Sequence, residues 1–90
     1  MMNIIDEIGE AACLESLAEE SAELAQAALK KARKLRGDYP TPKTMDEINK
    51  DLEEEVSDVI NAMRWLGLQA NEDIIKAKNE RYQARKLLLK

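Results

Sequence analysis

The helix-breaking residues of this chain fall in three places only. Its three glycines are Gly9, Gly37 and Gly67, and its two prolines, Pro40 and Pro42, follow closely on the second glycine. Glycine and proline are the residues least compatible with a helix interior. A chain punctuated so sparsely is restricted to a few long helices, and no segment shows the period-two alternation of a strand. The spacing predicts a helix over residues 2–36, kinked or restarted near Gly9, with Lys30, Lys31, Arg33, Lys34 and Arg36 in its last turns, where cations suit the helix dipole. A loop follows over residues 37–45. Thr44-Met45-Asp46-Glu47 is a Thr-x-x-Glu capping box, which predicts a second long helix running to about Leu66. Asn71 then caps a last helix that opens with Glu72 and Asp73 and continues to about Leu89. The expected architecture is an all-α bundle of two long helices, a C-terminal helix and a short N-terminal helical segment, forming a single domain over residues 1–90.

Ninety residues give a small core, so the bundle is expected to be completed by oligomerisation. The absence of Phe, with one Trp and two Tyr, suits helix packing built on Leu, Ile and Ala. A net charge of −4 and a pI near 4.9 argue against nucleic acid as a partner, which needs a basic surface. No run approaches the roughly 20 apolar residues of a membrane span, and the opening MMNIIDEIGE lacks the basic and apolar regions of a signal peptide. Cys13 is the only cysteine, so no internal disulfide can form, and a reducing cytoplasm is the expected location. The chain has no histidine. That removes His-based acid–base chemistry, most zinc sites and the Glu-x-x-His motif of di-iron bundles.

Two acidic turns stand in register. LAEESAELAQAA at 17–28 and LEEEVSDVINAM at 52–63 are offset by 35 positions, pairing Glu20 with Glu55, Glu23 with Asp58, Gln26 with Asn61 and Ala27 with Ala62. Such a weak internal repeat suggests two helices facing each other across an approximate two-fold axis. At about 100° per residue, Leu14, Leu17, Leu24, Ala28 and Leu35 form the apolar stripe of the first helix, with Glu20 flanking it and Glu23 and Ala27 beside it. Leu52, Val56, Val59, Met63 and Leu66 form the stripe of the second, with Glu55, Asp58 and Ala62 placed in the same sense. Surface glutamates are commonly supported by Lys or Arg three or four residues away. None of these four acids has one, because residues 10–29 and 51–63 contain no basic residue. Uncompensated like charges on two helices point to a divalent cation that offsets them. An all-oxygen donor set selects Mg²⁺, Mn²⁺ or Ca²⁺.

In the last helix Lys78, Arg81 and Arg85 share one stripe with Ile74 and Leu88, on the face expected to pack inward. Their stems can snorkel over apolar surface while their heads pair with acids, or they can neutralise phosphate oxygens near the metal. Asn61, one turn past Asp58, is placed to hydrogen-bond a ligand. Trp65 can stack on a base or fill a subunit interface, and Tyr39 and Lys43 in the loop are weaker candidates.

Glu19-Glu20-x-x-Glu23, then Glu55-x-x-Asp58, then the basic KAKNERYQAR of the last helix resemble, in that order and over roughly residues 12–85, the MazG-like all-α nucleoside triphosphate pyrophosphohydrolases. The spacing between the two acidic motifs is somewhat long, with the proline-rich loop inserted. The resemblance implies hydrolysis of a (deoxy)nucleoside triphosphate to the monophosphate and pyrophosphate, by attack of a metal-activated water and in the service of nucleotide-pool house-cleaning. It implies Mg²⁺, with Mn²⁺ as a substitute, held by Glu20, Glu23, Glu55 and Asp58, the four acids that the helical wheel also selects. It implies a homodimer or homotetramer. Asn61, Lys78, Arg81 and Arg85 are the expected substrate contacts. Two alternatives stand beside this reading. One is phosphoribosyl-ATP pyrophosphohydrolase, whose second motif usually carries a histidine that this chain lacks. The other is a non-catalytic helical interaction module with an acidic seam.

Overall fold

A computed structural model describes residues 3–38 and 42–88 of the chain. Four helices follow in order: α1 (Ile4–Ile8), α2 (Glu10–Arg36), α3 (Met45–Trp65) and α4 (Glu72–Leu88). No strand occurs among the described residues. Tyr39, Pro40, the expected helix start at residue 2 and the expected end near Leu89 lie outside them.

The expected restart at Gly9 is a complete break. The Gly9 amide closes α1 on the Ile5 carbonyl, and the Gly9 carbonyl accepts the first bond of α2 from the Cys13 amide at 3.2 Å. The two long helices end alike. Gly37 and Gly67 adopt left-handed φ values of 71° and 68°. In each case the amide of the next residue bonds back five positions, Asp38 to the Arg33 carbonyl and Leu68 to the Met63 carbonyl. This is the Schellman arrangement, which a side chain with a Cβ enters only with strain. Both N-terminal caps take their expected form. The Thr44 hydroxyl accepts from the Glu47 amide at 3.2 Å while the Glu47 carboxylate accepts from the Thr44 amide at 3.0 Å, and Asn71 Oδ1 accepts from Asp73 and Ile74.

Helices α2 and α3 pack against each other along their length, and α1 folds onto α2. The hairpin is antiparallel, since Glu23 shares a groove with Glu55 while Lys30, two turns on, shares it with Ile48. Buried and half-buried residues of α2 recur at Cys13, Leu17, Glu20, Leu24, Ala27, Lys31 and Lys34; those of α3 recur at Ile48, Leu52, Glu55, Val59, Ala62 and Leu66. These alternating steps of four and three residues are the seam spacing of packed antiparallel helices. A register that sets Glu20 opposite Glu55 also sets Cys13 opposite Ala62 and Ala27 opposite Ile48. These four are the only buried side chains among the described residues. The 35-residue repeat maps one of these layers onto the other, so the suggested two-fold axis passes through the acidic layer.

The seam corrects the expected stripes. Leu14, Ala28, Leu35 and Val56 are exposed, and Glu20 and Glu55 lie within the buried line instead of flanking it. Close helix approach favours small Cys and Ala at the seam, and the long stems of Lys31 and Lys34 cover it where leucine was expected. A second correction concerns α4. It does not pack inward: every described residue from Gly67 to Leu88 is exposed. The resulting radius of gyration, 17.0 Å, exceeds the roughly 12 Å of a compact chain of this length.

Candidate metal centre

Glu20 and Glu23 stand one turn apart on α2, and Glu55 and Asp58 repeat the arrangement on α3. One carboxylate oxygen from each of the four lies within 4.8 Å of all the others. Opposite ligands of an octahedral Mg²⁺ are about 4.2 Å apart, twice the metal–oxygen distance. The cluster thus has the dimensions of a shared coordination shell. Glu20 and Glu55 form its floor, half-buried in the seam, and Glu23 and Asp58 form its exposed rim.

The floor is electrostatically unsatisfied. Glu20 Oε2 and Glu55 Oε2 are shut off from solvent and have no hydrogen-bond partner. Burial pushes the Glu20 carboxyl above the ordinary carboxylate range, and the charges of Glu23, Asp58 and Glu55 add to the effect. Burial likewise raises Glu55, followed by the charges of Glu23, Asp58 and Glu54. Hard oxygen donors, two of them orphaned and all of them crowded, are the donor set that a hard divalent cation satisfies. The four acids selected by the repeat therefore do come together, and they fit such an ion.

The other expected contacts divide. Asn61 is exposed on α3, one turn past Asp58. Trp65 is half-buried at the end of α3. Lys78, Arg81 and Arg85 are exposed along α4, which makes no substantial packing with the hairpin. Within one chain they are not packed against the acids.

Two other cations, Lys30 and Lys43, share a groove with two of the acids. A groove of about 410 Å³ runs from the cluster toward the loop end of the hairpin, lined by Glu23, Gln26, Ala27, Lys30, Lys43, Ile48, Asp51 and Glu55. Its size falls within the roughly 300–1,000 Å³ of small-molecule sites. Lys43 donates to Asp51 at 2.6 Å, which ties the loop to α3. That hydrogen bond, with the Asp51 charge behind it, raises the Lys43 pKa. The sequence places Lys30 among the helix-end cations and Gln26 in the repeat, but assigns neither to the site. The available signal was spacing, because Lys30 lies seven residues, or two turns, past Glu23 and therefore on its face. Comparison of the chain with protein-family models, curated proteins and solved structures yields no match.

Proposed function

We propose that this chain is a divalent-metal-dependent nucleoside triphosphate pyrophosphohydrolase of the MazG-like kind, releasing pyrophosphate from a (deoxy)nucleoside triphosphate in the cytoplasm. The observation that carries the reading is the four-carboxylate cluster with its two unpartnered, solvent-shielded oxygens. Glu20, Glu23, Glu55 and Asp58 would hold Mg²⁺ or Mn²⁺. A bound ion of this kind supplies charge for the phosphate oxygens and acidifies a water at the α-phosphorus.

The protein's own part follows from where the acids sit. Glu20 and Glu55 are anchored in the helix seam, so they fix the position of the centre. Glu23 and Asp58 are exposed at the rim. A second oxygen on either of them is the group available to take a proton from the attacking water. No protein nucleophile is needed, and the chain offers no Ser/His or Cys/His arrangement, since it has no histidine.

The reading includes a homo-oligomer. Val56 and Ile60, respectively 44% and 40% exposed, and Leu14 and Leu35, 47% and 68% exposed, each follow a seam position by one residue. Glu23 and Asp58 each precede one. Antiparallel helices related by a two-fold axis normal to the hairpin place equal offsets on the same face. The apolar residues and the acidic rim are therefore on opposite faces, and burying the first against another copy leaves the second open. A phosphate role for Lys78, Arg81 and Arg85 then falls to an α4 brought in by assembly. Incubation with a panel of canonical and modified (deoxy)nucleoside triphosphates, with Mg²⁺ or with EDTA, tests the function. Mg²⁺-dependent pyrophosphate release, lost in Glu55→Gln, is the expected result. Absence of turnover from folded protein would leave the acidic seam as a docking surface for a basic partner.

A further inference from the structure

The repeat makes the two arms of the site equivalent in backbone and different in chemistry. Beyond the acids, α2 continues with Gln26 and Lys30 toward the loop, and α3 continues with Asn61 and Trp65 toward the opposite end. The 35-residue offset pairs Gln26 with Asn61 and Lys30 with Trp65. One amide flanks the acidic centre on each side. Past the amides, one arm ends in a cation and the other in an aromatic ring. A nucleotide has the same polarity, with a polyanionic tail at one end and a planar base at the other.

The cationic arm is built as well as charged. Lys30 shares its groove with Glu23 and Glu55 and makes no ion pair among the described residues. Its Cα lies about 10 Å along the helix from that of Glu23, at 1.5 Å per residue. Helical side chains lean toward the helix N-terminus, so the Lys30 stem reaches back over Gln26 toward the acids. Lys43 enters the groove from the other wall, just before α3, and Asp51 holds its ammonium in place.

Three acids and two lysines line this groove. Bare, it repels an anion; one divalent cation on Glu23 and Glu55 tips its balance to positive. We propose that Lys30 and Lys43 form a metal-dependent anion subsite for the pyrophosphate end of the substrate, which orients the nucleoside toward Asn61 and Trp65. The subsite deepens the pyrophosphohydrolase reading and rests on it. Linkage makes the coupling reciprocal: pyrophosphate bound there tightens the metal by the same factor as the metal tightens pyrophosphate.

The test is thermal stability and equilibrium binding of the full chain with inorganic pyrophosphate as probe, in EDTA and in saturating Mg²⁺. Wild-type protein is expected to bind pyrophosphate in Mg²⁺ and not in EDTA, with a further rise in Tm. Lys30→Gln, an exposed substitution, keeps the Mg²⁺-induced Tm shift and loses pyrophosphate affinity by tenfold or more. Trp65→Leu keeps pyrophosphate affinity and loses affinity for a nucleoside monophosphate. A normal Mg²⁺ shift with unchanged pyrophosphate affinity in Lys30→Gln overturns the subsite alone. No Mg²⁺ effect on the wild-type chain overturns the metal centre, and the subsite falls with it.

Discussion

Ile48 is the largest side chain in the hairpin's small core, only 2% exposed, and the register sets it opposite Ala27, 8% exposed. Replacing Ile48 by Ala removes three carbons from a site with nothing else to fill it. At about 0.8 kcal/mol per buried methylene plus a cavity contribution, the loss comes to about 3 kcal/mol. For a domain of this size that is a fall in Tm of roughly 12–24 °C. Ala27→Ile alone overfills the same layer and costs about 2 kcal/mol. The two changes together restore one large and one small side chain. The double variant is therefore expected to lose about 2–3 kcal/mol, well short of the roughly 5 kcal/mol that independent effects would give. Thermal and urea denaturation followed by far-UV circular dichroism, at one fixed protein concentration, reads all four corners of the cycle. Effects additive within about 0.5 kcal/mol would refute the shared layer. The register that brings Glu20 against Glu55 would fall with it.

Other expectations concern the acids and the caps. Glu20→Leu removes an unsatisfied carboxylate from the seam, so Tm without metal should rise while the Mg²⁺-induced shift disappears; a lower metal-free Tm would contradict the seam position. Glu20 and Glu55 bind protons more tightly folded than at the ordinary 4.5 of the unfolded chain. Metal-free stability should thus grow as pH falls from neutral toward about 4.5, and saturating Mg²⁺ should reverse that slope because protons then compete with the ion. Glu47 has the opposite sign: its pKa is lowered, first by its bond to the Thr44 backbone, so its contribution is lost on further acidification below 4.5. A pH series of urea melts with and without Mg²⁺ separates the two windows. Thr44→Ala removes one half of the capping box and should cost about 1 kcal/mol; a change under a few tenths in the same melts would deny the box a stabilising role.

What could be read from the sequence was local. Gly37 and Gly67 mark helix ends through backbone geometry that needs no partner, and Thr44 with Glu47 bonds within one turn. The acidic pairs were visible because a repeat writes the same helical offsets twice. Packing was less legible. Ranking faces by large apolar residues placed Leu14, Ala28, Leu35 and Val56 inside, whereas the hairpin closes over Cys13, Ala27 and Ala62, whose small volume lets the helices approach. Lysine stems at 31 and 34 complete the seam, and no hydropathy pattern reports that. Lys30 and Lys43 are 13 positions apart with the proline loop between them, and only the hairpin register brings them to one groove. The basic residues of α4 lie along an exposed helix, and the inward packing expected of them does not occur.

The most direct measurement is Mn²⁺ binding to the purified protein by electron paramagnetic resonance, with Mg²⁺ as competitor. Wild type, Glu20→Gln and Glu55→Gln would be compared at matched helicity. If the four carboxylates are a metal centre, wild-type protein takes up at least one Mn²⁺ per chain saturably, Mg²⁺ displaces it, and each variant binds at least tenfold more weakly. Non-saturable uptake, or equal affinity in all three proteins, would contradict the account and leave the cluster as a strained acidic seam.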